Sequence, residues 1–180
     1  MMYTQQYHSL LGDILLAADE LGLVGLWFDG GKYFADVLEN HAVEKETSIL
    51  QEAGCWLDLY FSGKQPDFMP PLHLIGSPFR QEVWNLLLEI PYGQTTTYGK
   101  LAEILAKRRG LSQMSAQAVG GAVGHNPISI MIPCHRVVGT NGSLTGYAGG
   151  MEKKVALLTL EQVDMTKMFV PMKKECDFCL

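Results

Sequence analysis

Three prolines, Pro66, Pro70 and Pro71, fall within residues 64–76, and they constrain the fold more than any other feature of this chain. Proline fixes φ and has no backbone N–H, so it is excluded from a helix interior and from a central strand. The chain must break here. The reading places a domain linker over 64–76, which divides a first unit (1–76 with the linker) from a second (77–165) and leaves a polar tail at 166–180. With 180 residues and 47% apolar content the chain has material for real cores. No run reaches the roughly 18 to 20 apolar residues of a membrane span. The start MMYTQQYHSL also lacks the basic and apolar regions of a signal peptide, so a soluble, cytoplasmic protein with no membrane partner is expected.

Before the linker, apolar and polar residues alternate through 13–18 and 23–28 around the turn-like Asp19-Glu20-Leu21-Gly22, which predicts a strand pair. Ile49, Leu50, Ala53, Trp56, Leu57, Tyr60 and Phe61 then recur at helical spacing and Gly63 stops them, so one helix packs on a small sheet. After the linker, Ser77-Pro78 is an N-cap followed by proline at the first helical position, and Pro91-Tyr92-Gly93 ends that helix. A second helix is expected from about Tyr98 to Lys107 and a third from about Gln113 to Gly124, a succession like a helix-turn-helix core. The third holds Gly120 and Gly121 in its interior, each costing about 1 kcal/mol against alanine. Something must approach its backbone, either a packed neighbour helix or a nucleic-acid groove. The run 128–132, bracketed by Pro127 and Pro133, reads as a short buried strand that delivers Cys134. Residues 139–150 hold five glycines, enough flexibility to shape a pocket. A last helix is expected from about Glu152 to Glu161.

Charge is unevenly spread. Residues 1–76 carry 3 Lys+Arg against 11 Asp+Glu, whereas 77–165 carry 8 against 6, so only the second unit suits phosphates, and then modestly. The four cysteines form no disulfide framework, as suits a reducing compartment. One of them stands in Pro133-Cys134-His135-Arg136-Val137, where thiol, imidazole and guanidinium are consecutive. A free thiol has a pKa of about 8.5 and needs a base or a positive field to attack at neutral pH. His135 is the candidate base. Neighbours in extended chain point to opposite faces, so a sharp turn or a bridging water must join the two, and the water is the expected geometry. Glu161 is available to orient His135 and stabilise its charged form. The residues also allow a small packed cysteine beside a satisfied core histidine.

The run from Ala118 to Gly150, with AVGGAVGHNP, IPCHRVV and TGYAGG, resembles the active-site region of the O6-alkylguanine-DNA alkyltransferases, also called methylated-DNA–protein-cysteine methyltransferases. Weaker likeness extends over SPFRQEVW at 77–84 and GDILLAADELGLVGLWF at 12–28. The resemblance implies an α/β, ribonuclease-H-like N-terminal domain followed by a mostly α, winged-helix-like DNA-binding domain that carries the cysteine. It implies a monomer that enters the minor groove of double-stranded DNA and rotates an alkylated guanine out of the duplex. Cys134 then takes the alkyl group once and irreversibly, without a cofactor or a metal.

By matching position, His135 accepts the Cys134 proton through water and Glu161 orients His135. Tyr98 favours base rotation and protonates or hydrogen-bonds the departing guanine, and Asn126 braces the turn before the active-site segment. Val137, Tyr147, Ala148 and Gly149 line the pocket. Ser115, Gln117, Ala118, Gly120, Gly121 and Arg136 lie toward DNA, Arg136 more as an anchor of loops than as a substrate contact. Two departures stand out. Gln117 occupies the place, seventeen residues before the cysteine, where the family usually has an arginine that fills the gap left by the flipped base, which predicts weaker, less salt-dependent binding. Leu10-Leu11-Gly12 lacks the usual proline before Leu-Gly. Cys176 and Cys179 offer at most half a zinc site in a loose tail. A lesion-binding relative without transfer, and a cysteine hydrolase, are the alternative functions; the first lacks an acceptor cysteine, and the second has no recognisable oxyanion motif here.

Overall fold

The computed structural model describes residues 1–35, 38 and 42–171. Strands β1 (Tyr3–Ser9), β2 (Gly12–Ala18) and β3 (Leu23–Phe28) form an antiparallel meander, and the two-residue β4 (Val43–Glu44) lies parallel to β1, giving the order β3-β2-β1-β4. Between β2 and β3, Asp19 accepts from the Leu21 and Gly22 amides, closing the turn the sequence marks. Ile14, Leu16 and Ala18 on β2 face α1 (Ser48–Phe61), while Ala17 turns to the other face with Val24 and Trp27. Thr47 caps α1 at the Leu50 amide, and Leu50, Ala53, Trp56, Leu57 and Tyr60 are its buried stripe.

The proline stretch is not a free linker. The Leu23 amide donates to the Pro71 carbonyl (2.7 Å) and the His73 amide to the Leu23 carbonyl (2.8 Å), so the stretch returns along the edge of β3. Further along that edge, the Leu26 amide donates to the Pro127 carbonyl (2.8 Å) and the Ser129 amide to the Leu26 carbonyl (3.0 Å). Main-chain bonds at one strand edge therefore tie the second unit to the first.

In the second unit, α2 (Pro78–Leu88), α3 (Tyr98–Arg108) and α4 (Ala116–Gly124) pack around Val83, Trp84, Leu87, Leu101, Leu105, Val119 and Val123. Ser77, Thr97 and Ser115 cap them. The third expected helix thus starts three residues late, because Ser115 takes the cap by accepting from the Ala118 amide. The parallel pair β5 (Thr96–Thr97) and β6 (Val137–Val138), together with α5 (Met151–Leu160), completes the unit.

Two expectations are corrected. Residues 128–132 are not a strand: Ile128 makes a single bridge to Leu26, and the chain then turns, with Ile130 at φ 70°. A β-branched residue in that region is strained, by about 1 to 3 kcal/mol. Asn126 replaces the missing ladder, its Nδ2 donating to the Ile132 carbonyl and its Oδ1 accepting from the Ile128 amide. A buried turn needs the same apolar composition as a buried strand. The tail also begins later than residue 166. Val163, Met165 and Met168 pack on Val138, Leu144 and Leu158, and Phe169 exchanges main-chain bonds with Gly142 and Leu144. Cys176 and Cys179 lie outside the described residues.

Candidate active site

Cys134, His135 and Arg136 form one tight turn of 3-10 helix, all buried. The backbone is thus a sharp turn rather than extended chain, but no direct hydrogen bond joins the imidazole to the thiol, and His135 Nδ1 has no partner. His135 is fully buried, and its Nε2 lies 2.6 Å from Glu161 Oε1. Glu161 caps the C-terminus of α5 and collects further donors: the Tyr60 hydroxyl on Oε1 (2.7 Å), Arg136 through Nε on Oε2 (2.8 Å) and through a terminal nitrogen on Oε1 (3.0 Å), and the Gly93 amide on Oε2 (3.1 Å). Burial alone would raise the pKa of this carboxyl; the bonds from His135 and Arg136 outweigh it and hold Glu161 at about 2.

An ionised Glu161 requires Nε2 to carry the proton of a neutral His135, and burial keeps this imidazole neutral by pulling its pKa down against the carboxylate. The other nitrogen, Nδ1, is then a bare lone pair, and it is buried without a hydrogen-bond partner. The Tyr147 hydroxyl is a second such atom, and the Tyr147 ring meets His135 edge-on at 6.4 Å. Buried polar atoms without partners are rare in proteins and call for a reason. Two at one cysteine make a site that can accept a proton and hold a polar ligand.

The sulfur is not ionised by its neighbours at rest. Burial pushes the Cys134 thiol up, outweighing the hydrogen bond from Asn126 and the charge of Lys154. The base must therefore take the proton as the sulfur attacks. Lys154 is wholly buried on α5 and donates to the Val137 (2.6 Å) and Thr145 (2.7 Å) carbonyls; burial brings its pKa down to about 8, against the pull of Cys134. Tyr98, at the start of α3, donates to the same Thr145 carbonyl (3.1 Å), and burial and the nearby sulfur push its pKa up to about 12, so it stays a proton donor.

A cleft of about 240 Å³ opens between Gly120 and Gly121 of α4, the loop at Tyr147 and Ala148, and Lys32 and Tyr33 of the first unit. Of the expected pocket residues only Tyr147 and Ala148 line it; Val137 is buried and, like Gly149 and Cys134, is not part of its lining, and a Cβ at Gly149 would come within 2.8 Å of the Tyr147 ring. Ser115, Gln117, Ala118 and Gly121 are exposed along α4 and Gly120 is half-buried. Helix packing does not require these glycines: a Cβ would meet nothing within 4 Å at Gly121 and only ordinary contact with Tyr98 at Gly120. Arg136 is corrected as a DNA contact, because its guanidinium is turned inward onto Glu161 and the Ile90 carbonyl.

The structure thus gathers Cys134, His135, Glu161, Asn126, Tyr98 and Tyr147, and adds Tyr60, Lys154 and Lys32-Tyr33. A lysine among the apolar residues Met151, Val155, Leu157 and Leu158 was a visible signal. Tyr60 had none, since on its helix it reads as one more core aromatic.

Comparisons with known proteins follow the same division. Residues 2–74 match the family model described as 6-O-methylguanine DNA methyltransferase, ribonuclease-like domain, and residues 78–163 match its DNA binding domain. A methylated-DNA–protein-cysteine methyltransferase of Methanosarcina acetivorans is 42% identical over 160 residues, spanning 89% of this chain and 98% of that protein. The crystal structure of a Mycobacterium tuberculosis O6-methylguanine methyltransferase superposes with a TM-score of 0.76 at 39% identity, covering 90% of this chain and 93% of that one. A Mycobacterium tuberculosis OGT in complex with DNA gives 0.76 at 38% identity, covering 89% and 92%.

Proposed function

Because the chain belongs to the 6-O-methylguanine DNA methyltransferase family, and so repairs DNA by alkyl transfer, we propose that Cys134 is the acceptor and O6-alkylguanine in duplex DNA the donor. One observation carries this reading: a buried histidine next to the cysteine, tied at Nε2 to an ionised glutamate, keeps Nδ1 unpartnered. That is the arrangement of a base held in one tautomer with its lone pair ready.

The bare backbone of α4 at Gly120 and Gly121, with Ser115, Gln117 and Ala118 exposed along the same helix, lies against the minor groove of one duplex, and a single copy of the chain suffices. Gln117 fills the gap in the stack, and the alkylated base turns out into the cleft, where the Tyr147 hydroxyl and the Ala148 and Gly149 backbone receive it. The thiol proton passes to His135 Nδ1, directly or through one water, as the sulfur lone pair forms the S–C bond. The C–O6 bond breaks in line, its electron pair stays on the guanine, and a proton from Tyr98 restores the neutral base, Tyr98 regaining a proton from solvent as His135 releases the one taken from the thiol. The thioether that remains has no leaving group for water to displace, so each molecule acts once.

Incubation with a duplex carrying O6-methylguanine, followed by peptide mass measurement, tests this. The expected result is one methyl per protein, on the Cys134 peptide, and none in Cys134→Ala. Repeated turnover, or a methyl on another residue, would overturn it.

A further inference from the structure

Tyr60 belongs to the first unit, yet its hydroxyl lies inside the relay of the second. It is fully buried on α1, donates to Glu161 Oε1 at 2.7 Å, and its oxygen sits 3.4 Å from His135 Nε2. The ring is fixed independently of that contact, stacked on Trp56 at 5.2 Å and 10° and edge-on to Tyr92 at 6.1 Å. We propose that Tyr60 is a positioning residue for alkyl transfer, its hydroxyl holding the Glu161–His135 pair in the state that leaves Nδ1 free to take the Cys134 proton. The inference rests on the function proposed above.

Arg136 already grips both oxygens of Glu161, so the carboxylate does not need Tyr60 in order to exist. The hydroxyl does two other things. It occupies a lone pair of the oxygen that faces His135, which makes that oxygen a weaker base and keeps the shared proton on Nε2. It also sets its own oxygen beside Nε2, where an N–H is tolerated and a bare nitrogen lone pair is repelled. Both effects select the Nε2–H tautomer, the one that frees Nδ1. The hydroxyl stays protonated because burial and the Glu161 charge raise its pKa far above the usual phenol. The first unit thereby supplies a group that acts on the reaction without touching DNA or the sulfur.

Tyr60→Phe removes one oxygen and keeps the stacked ring. Single-turnover methyl transfer from an O6-methylguanine duplex is to be followed from acid to mildly alkaline pH, alongside duplex affinity, thermal stability and the nitrogen NMR spectrum of His135. The expected result is a transfer rate lower by roughly tenfold, as for loss of other groups that orient a histidine. Affinity for the duplex should stay within about twofold, since no DNA contact is removed. The midpoint of the acid limb should move to higher pH, because a more basic Glu161 stabilises imidazolium, and the NMR signals should report the same shift with a more mixed tautomer. Equal rate and midpoint in Tyr60→Phe, with the unsubstituted protein active, overturn this inference alone. So does a rate loss that only follows thermal stability, with the midpoint unmoved. An unsubstituted protein that transfers nothing overturns the reading beneath it, and the NMR arm still reports whether Tyr60 governs the tautomer.

Discussion

The buried cluster around Glu161 and the exposed face of α4 are built on opposite plans. Around Glu161 five donors converge on two oxygens, all of them shielded from solvent or nearly so. Along α4 the exposed positions are serine, alanine, glutamine and glycine, and the space above Gly121 is empty. The buried cluster has every position fixed by several partners, so one loss there leaves charges stranded. The bare face is shaped by what it omits, so changes there act on binding and leave the fold alone.

The contrast breaks most visibly at Glu161. Glu161→Gln strands the buried Arg136 and should destabilise the protein by about 3 kcal/mol or more, with transfer falling roughly 100-fold. The same substitution tests the pH dependence. A carboxyl held at about 2 against an ordinary 4.5 contributes stability that is complete above 4.5 and lost as pH falls toward 2, roughly 3 kcal/mol in all. Denaturant midpoints across that acid range should show this slope in the parent and lose it in Glu161→Gln. A variant as stable as the parent would mean that the cluster is not interdependent.

Gly121→Ala works in the other direction. An alanine in an exposed helix interior with no neighbour within 4 Å should raise stability by about 1 kcal/mol. If the bare backbone meets a groove, duplex affinity should fall several-fold at the same time, which a melting curve and a binding titration decide together. Affinity that stays level would remove the reason given for this glycine. The smallest effect is expected at Gln117. Gln117→Arg should tighten binding and steepen the plot of log affinity against log salt by about 0.9, the signature of one more phosphate contact. An unchanged slope would remove Gln117 from the interface.

The same contrast governs what could be read in advance. Strands β2 and β3, helices α1, α2 and α3, and the cap Ser77 followed from periodicity and capping, because there local preference and tertiary packing agree. Strand β1 did not: Thr4, Gln5, Gln6 and Ser9 give it little apolar signal, and it is held by pairing with β2 rather than by burial. Residues 128–132 were misread because composition reports burial and not backbone shape. The pairing of His135 with Glu161, next to Cys134 in the chain, was legible from chemistry and from family motifs. The arrival of Tyr60 depends on how the two units meet, and the inward turn of Arg136 on the approach of Glu161 and the Ile90 carbonyl within the second unit, neither of which a local pattern encodes.

That meeting has a consequence for tolerance to change. Leu26 holds Pro127 through its N–H and Ser129 through its C=O, seven and five residues ahead of the nucleophile, and its own height in the sheet is set by its pairing with Leu16 on β2. The strand is thus the ruler against which the sulfur is placed. A one-residue slip in the hairpin displaces that ruler by about 3.4 Å, as far as an attacking atom stands from its target, and turns the faces of the strand over as well, so an error in a region without any chemistry reaches the core and the placement of the sulfur together.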